Sequence, residues 1–323
     1  MDRIGRRVWI IILAAIVVVF AGTVLLLNAT LYSASGFVGS YLDALARHDV
    51  SDALATPGVT VRANDSLTLL RSDAMGSLDD IRIVSDTAEP GGSHRVVASY
   101  RAGGRAGTTS FEVERDGTHL GLFSAWRFTT TPVSTLALTP QHDAAFTANG
   151  LSLTAEGGAS SLTNFAVLTP GAFTLSHSSH FLVAKPKTTL VTAVGSTKVA
   201  DVDIQANAAF VKEVQKEIDS YLAKCVTQKV LLPTGCPMGQ KIEDRVQDTP
   251  AWSMVEDPVV TIVPGNTPGS WLMPATEGRA HLVVTVKSIF DGTVSTFDQD
   301  VPFTVAYLIT FQADGSLLIA AQY

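Results

Sequence analysis

VWIIILAAIVVVFAGTVLLL, from Val8 to Leu27, runs for twenty residues without a charge. At about 1.5 Å rise per residue a helix of this length spans roughly 30 Å, the hydrocarbon thickness of a bilayer. Lipid offers no partners for free N–H and C=O groups, so a segment that crosses it must be helical. The run is apolar all round rather than along one stripe, which argues against a helix in a soluble core. Arg3, Arg6 and Arg7 precede it, and no Lys or Arg follows until Arg47. By the positive-inside rule, residues 1–7 are expected to form a cytoplasmic tail, residues 8–28 a single-pass anchor, and residues from about 30 onward an extracytoplasmic part at the cell membrane. Trp9 and Tyr32 flank the span where aromatic rings favour the interface. The alternative is a cleaved signal peptide, with Ser33-Ala34-Ser35 as the small-residue site, although such a peptide usually has an apolar core of about 7–15 residues. Both readings export the rest of the chain.

Moving outward from this segment, the composition is that of an exported, strand-rich protein. The chain has 323 residues, 46% hydrophobic and 16% charged. That length suggests two or three domains. The net charge is −7; the first seven residues hold three Arg and one Asp, +2, so the remainder carries −9. An acidic ectodomain argues against nucleic acid as a partner and against attraction to anionic headgroups. The two cysteines, Cys225 and Cys236, lie eleven positions apart across the loop LLPTGCP. In an exported segment this pair is expected to form a disulfide. A zinc site would need about four ligands, and redox chemistry would want a Cys-x-x-Cys spacing. No metal or cofactor is expected.

Three blocks follow the anchor. Residues 29–130 open with LYSASGFVGSYLDALARHD, where Val38, Tyr41, Leu42 and Leu45 form a helical stripe. Asp49 or Ser51 is expected to cap a short second helix, and Asp65 another through Leu67 to Leu70. The period then changes to alternation around Ile81, Val96, Phe111 and Leu120, with turns at Gly91-Gly92, Gly103-Gly104 and Asp116-Gly117. Helices followed by four antiparallel strands predict an α+β layer. Residues 131–200 alternate in short runs broken by Asn149-Gly150, Gly157-Gly158 and Pro170-Gly171, which predicts a small β-sandwich. Residues 201–323 carry the amphipathic helix FVKEVQKEIDSYLAKC, a Pro-rich segment from Pro250 to Pro274, and strands with turns at Asp291-Gly292 and Asp314-Gly315. The first and third blocks share Ser-Tyr-Leu in the helix, at 40–42 and 220–222, and an Asp-Gly near the end, so a structural duplication is one reading.

The order of helix, short helices and four strands, with the phrase YLDALARHDVSDALA from Tyr41 to Ala55, resembles exported members of the nuclear-transport-factor-2-like superfamily. The whole plan is similar to the teicoplanin-resistance-associated membrane proteins of Gram-positive bacteria. The resemblance implies an α+β fold in which two cone-like helix-on-antiparallel-sheet domains flank the small sandwich. That superfamily contains enzymes, binding modules and scaffolds, so it selects no activity.

Motifs for chemistry are missing. There is no Gly-x-Ser-x-Gly, no Ser-x-x-Lys and no Gly-rich phosphate loop. His177-Ser-Ser-His180 is the one histidine cluster, and its strand-like flanks favour a surface turn over a metal site. His119 and His281 fall on strands of the two α+β blocks and are the candidate pocket residues. Trp252 and Trp271, in or beside the Pro-rich segment, are candidate contacts for a ligand or partner if exposed; core filling is the competing reading. The expected function is that of a membrane-tethered binding or scaffold protein of the cell envelope, without catalysis, contacting a wall component or another envelope protein. The alternative is a small-ligand binder or enzyme using the concavity of one α+β block.

Overall fold

The computed structural model describes residues 3–312 and 314–322. Of the expected cytoplasmic tail, residues 1–2 lie outside the described residues, as does the C-terminal residue 323. The fold is α+β and mostly strands. Helix α1 (Arg3–Ala29) contains, from Trp9 to Ala29, a segment long and apolar enough to cross a membrane. Every side chain from Trp9 to Thr23 on it is exposed.

Helix α2 (Ala34–Ala46) starts where Ser33, in extended conformation, accepts the Gly36 N–H through its side chain. That contact satisfies one of the free donors of the first turn. Asp49 caps α3 (Val50–Ala55) in the same way, from the Asp52 N–H. Four strands follow as an antiparallel meander: β1 (Leu78–Ala88), β2 (Ser93–Ala102), β3 (Arg105–His119) and β4 (Phe123–Phe128). The apolar stripe of α2 lies on one face of this sheet, against Val96, Ala98, Phe111, Val113 and Phe128. Two local expectations are corrected. Asp65 caps no helix; its carboxylate accepts a hydrogen bond from the Thr135 hydroxyl, and Ser66 bridges to Phe165. Asp116-Gly117 is not the hairpin turn but a bulge inside β3, where the register shifts between Arg115 and Thr118. The turn lies at Leu120-Gly121, both with positive φ.

The middle of the chain is a sandwich of two sheets. One holds β12 (Gln205–Ala206), β10 (Leu182–Val191), β9 (Gly171–Ser178), β6 (Ala145–Ala148) and β7 (Leu151–Thr154) in that order. The other holds β11 (Thr197–Asp203), β5 (Val133–Gln141) and β8 (Thr163–Leu168), with β11 parallel to β5.

The third unit sets α4 (Ala208–Cys225), capped by Asn207, against a sheet built on two 18-residue strands, β16 (Ser270–Lys287) and β17 (Val294–Phe311). β18 (Leu317–Ala321) pairs with β17. The short β13 (Arg245–Val246), β14 (Ala251–Glu256) and β15 (Val263–Pro264) share the far edge of β16. The Pro-rich segment thus forms edge strands and loops up to Gly269 and then enters β16, where Pro274 falls at a register shift between Met273 and Thr276, so its missing N–H breaks no regular ladder. The Ser-Tyr-Leu likeness fails at the tyrosines, although Ser40 and Ser220 are both exposed. Leu42 and Leu222 are both fully buried, whereas Tyr41 is buried and Tyr221 lies at the surface.

The cores do not stop at the sandwich. One apolar cluster joins the first unit to Val133, Ala166, Leu168 and Ala172 of the sandwich. A larger one runs from Leu136, Phe146 and Leu175 of the sandwich into α4 and β16. A sandwich of such short strands cannot bury its faces alone, and its neighbours complete it. Tyr41 is a polar pin in the first joint. Its buried hydroxyl donates to Thr169 O at 2.9 Å, with Pro132 O at 3.3 Å. Burial drives the phenol pKa far up, so it stays a donor. Tyr41→Phe is expected to cost about 1–2 kcal/mol, because Thr169 O stays buried without this donor, while Pro132 O keeps the Thr169 N–H. Denaturant unfolding of the variant checks this, and an unchanged midpoint would refute it.

Candidate functional site

The two expected pocket histidines do not line the helix-covered faces of the two sheets. In the first unit, the side chains of α2 fill the sheet face they cover. A small, partly open cavity between that unit and the sandwich, lined by Leu45, Leu69, Met75 and Phe173 among others, has a volume of about 20 Å³. That is room for about one water. In the third unit, Phe210, Val214, Ile218 and Leu222 of α4 pack against Leu282, Val284, Val301 and Phe303. Strand alternation explains the positions of the histidines. Ala280 and Leu282 point into that core, so His281 between them points out.

His281 is held on the outer face by two carboxylates. Its Nδ1 lies 2.8 Å from Asp300 and its Nε2 2.9 Å from Asp298. The ring nitrogens point in opposite directions, so this trio holds the ring between two carboxylates and does not converge on one metal ion. The hydrogen bond with Asp300, with help from Asp298, raises the imidazole pKa above its ordinary value of about 6.5 despite partial desolvation. The folded pKa is raised, so the stabilisation is complete below about pH 6.5 and is lost as pH rises through the folded value. His281→Gln is expected to unfold more easily than the wild type below pH 6.5, with the gap closing at higher pH. Denaturation series across that range test it, and a gap independent of pH would contradict it.

His119 is exposed at the end of β3, beside α1. It lies in an open groove of about 330 Å³ with Tyr32, Phe37, Asp52, Pro57 and Trp126. The groove is organised by the joint between α1 and β4. Asn28 Nδ2 donates to Leu122 O at 2.9 Å, and Asn28 Oδ1 accepts the Ser124 N–H at 2.8 Å. The Trp126 indole donates to Tyr32 O at 2.8 Å, and Tyr32 stacks on Phe123 with centroids 4.5 Å apart.

Trp252 and Trp271 are corrected as surface contacts. Trp252 is 7% exposed and its Nε1 donates to Val230 O at 2.8 Å. Trp271 is wholly buried, edge-on to Phe210 at 5.8 Å and to His142 at 6.0 Å. Both sit on strands that pair over the core rather than on a projecting loop. The expected disulfide is present: Cys225 and Cys236 are bonded, with Cα atoms 5.8 Å apart. His177 is not a surface residue. It is buried, with Nδ1 2.7 Å from Ala145 O and Nε2 3.1 Å from the Ser179 hydroxyl, while His180 lies outside.

One cluster had no signal in the sequence. Asp86 joins Ser35 to His94, with one carboxylate oxygen on the Ser35 hydroxyl and the other 2.6 Å from His94 Nδ1. Burial would raise this carboxyl, but the hydrogen bonds from Ser35 and His94 outweigh it and hold its pKa below the usual range. The carboxylate sits between serine and histidine, so the imidazole is not placed to take the serine proton as a general base. The cluster ties α2 to the β1–β2 hairpin. Among the described residues no group of three or more His, Cys, Asp or Glu side chains is arranged to hold a metal.

No protein-family model matches this chain, and no curated protein or solved structure is significantly similar to it.

Proposed function

We propose that this protein is a membrane-tethered, extracytoplasmic binding or scaffold protein of the cell envelope, acting without catalysis. Its first and third units are read as cone-shaped domains of the nuclear-transport-factor-2-like kind. The plan as a whole is read as that of the teicoplanin-resistance-associated membrane proteins. The N-terminus is cytoplasmic and the chain beyond about residue 30 lies outside the membrane.

The observation that carries this reading is the filling of both helix-covered sheet faces, which leaves outer surfaces for contact. The disulfide fits an oxidising compartment. An anchor retained in the mature protein fits the joint at Asn28. Cleavage at Ser33-Ala34-Ser35 would remove Asn28, Tyr32 and the cap of α2, along with their bonds to β4. A contact surface is offered by the tip between β16 and β17, where Ile289 is 75% and Phe290 97% exposed. The partner is another envelope protein or a wall polymer. A photoreactive residue at position 290, activated in intact cells, is expected to form a covalent adduct with such a partner. A chain that forms no adduct there and co-purifies with a small molecule would instead support a ligand binder.

A further inference from the structure

We infer that the β3–β4 hairpin tip is a second membrane element, seated in the outer leaflet beside the anchor. The inference rests on the reading of α1 as a retained membrane anchor.

The height of the tip follows from the joint. Asn28 is the first residue past the apolar run, about 1.5 Å along the helix axis from Leu27. Its side chain grips Leu122 O and the Ser124 N–H. The hairpin therefore meets α1 where the hydrocarbon ends and the interfacial zone begins.

The direction follows from β4. Ser124 bonds Asn28, the Trp126 indole bonds Tyr32 O, and the Phe128 N–H bonds Pro57 O. β4 thus climbs away from the anchor as the chain itself does. The residues before Ser124, from Leu122 back to Leu120, lie on the bilayer side of it. The surface of α1 agrees. Its side chains are exposed from Trp9 to Thr23, but Val24, Leu27 and Asn28, which share one helical face, are half-covered where α1 packs on β4. Val24 lies inside the apolar run, so the covering extends below the level of Leu27.

The chemistry of the tip suits lipid. From Gly117 to Trp126 the chain reads GTHLGLFSAW, with no carboxylate, lysine or arginine. Leu120 is 90% exposed and Leu122 44%. Leu120 also holds positive φ, a conformation that disfavours a branched side chain, at a turn where glycine would be less strained. Tyr32 and Phe123, half-buried, stack directly behind, as rings do at a membrane interface. The occupant of this surface is the acyl and glycerol region of a phospholipid bilayer. With anchor and tip both seated, the first unit cannot swing freely about residue 30 and stands at a set orientation on the membrane.

Three single-cysteine variants of the full chain test this: Leu120→Cys, Val18→Cys and Phe290→Cys. Each is labelled with an environment-sensitive fluorophore and reconstituted in phosphatidylcholine vesicles with and without brominated acyl chains. The native cysteines are bonded to each other and take no label. The labels at 120 and 18 are expected to lose fluorescence to the brominated lipid, and the label at 290 to keep it. A label at 120 that stays bright while the one at 18 is quenched overturns the hairpin inference and leaves the anchor intact. A label at 18 that is not quenched overturns the anchor reading, and the inference with it.

Discussion

Trp271→Ala is expected to unfold about 3–5 kcal/mol more easily than the wild type, the cost of deleting a large aromatic from a packed core. Trp271 is among the largest fully buried side chains of the protein. It stands on β16 opposite Ile309 and Pro264, against Phe210 of α4 and His142 of the sandwich. The void would therefore open at the joint of two units, in a cluster that also contains Phe181, Phe210 and Phe311. A second substitution separates packing from polarity. The indole N–H is buried without a hydrogen-bond partner, a position that costs about 1–3 kcal/mol. Trp271→Phe keeps an aromatic ring near Phe210 and removes that donor, so it is expected to cost far less than the alanine. Guanidinium unfolding followed by far-UV circular dichroism compares the two. Equal losses for both would show that the smaller ring recovers none of the packing and would contradict this account.

Breaking the disulfide is expected to have the next largest effect. Cys225 ends α4, buried at 1% exposure, and Cys236 lies eleven residues on in the following loop. In the loop-entropy model a closed loop of this size contributes about 3 kcal/mol, through the freedom it removes from the unfolded chain. The loop is also tied to its surroundings, because Val230 O accepts the Trp252 indole and Gln240 N–H bonds Leu231 O. Cys225→Ala with Cys236→Ala, or reduction of the wild type, is expected to lower stability by that amount and to free the C-terminal turn of α4. Amide exchange would locate the effect: faster exchange should appear at Ser220 to Val226 and spare α2. An effect spread evenly over all three units would argue against this local account.

What could be read before folding was whatever depends on near neighbours in the chain. The amphipathic stripe on α2, its partner stripe on α4 and most of the turns are local periodicities and steric preferences. Asp116-Gly117 misled because the same dipeptide that suits a hairpin turn also suits a bulge. The choice fell to the pairing of β3 with β4, which carries the turn on to Leu120-Gly121. The histidines at 119 and 281 were placed on the right kind of element. Which face each occupied depended on strand phase relative to a core assembled from residues far apart in sequence. The Pro-rich setting of Trp252 and Trp271 suggested a projecting loop. Both tryptophans instead lie on strands drawn over a core that includes Leu282 and α4.

The sequence by itself determined the apolar helix at the N-terminus, the α+β character, the alternation of the sandwich and the cysteine pair. Each rests on composition, short-range period or spacing that survives in any fold of this chain. Tertiary structure alone decided that the sandwich shares its core with both neighbours, and that α2 and α4 fill the sheet faces they cover. It also decided that Asn28 binds a hairpin 94 residues away. Such contacts join segments far apart in the chain, and their energies depend on burial and geometry that exist only once the segments meet.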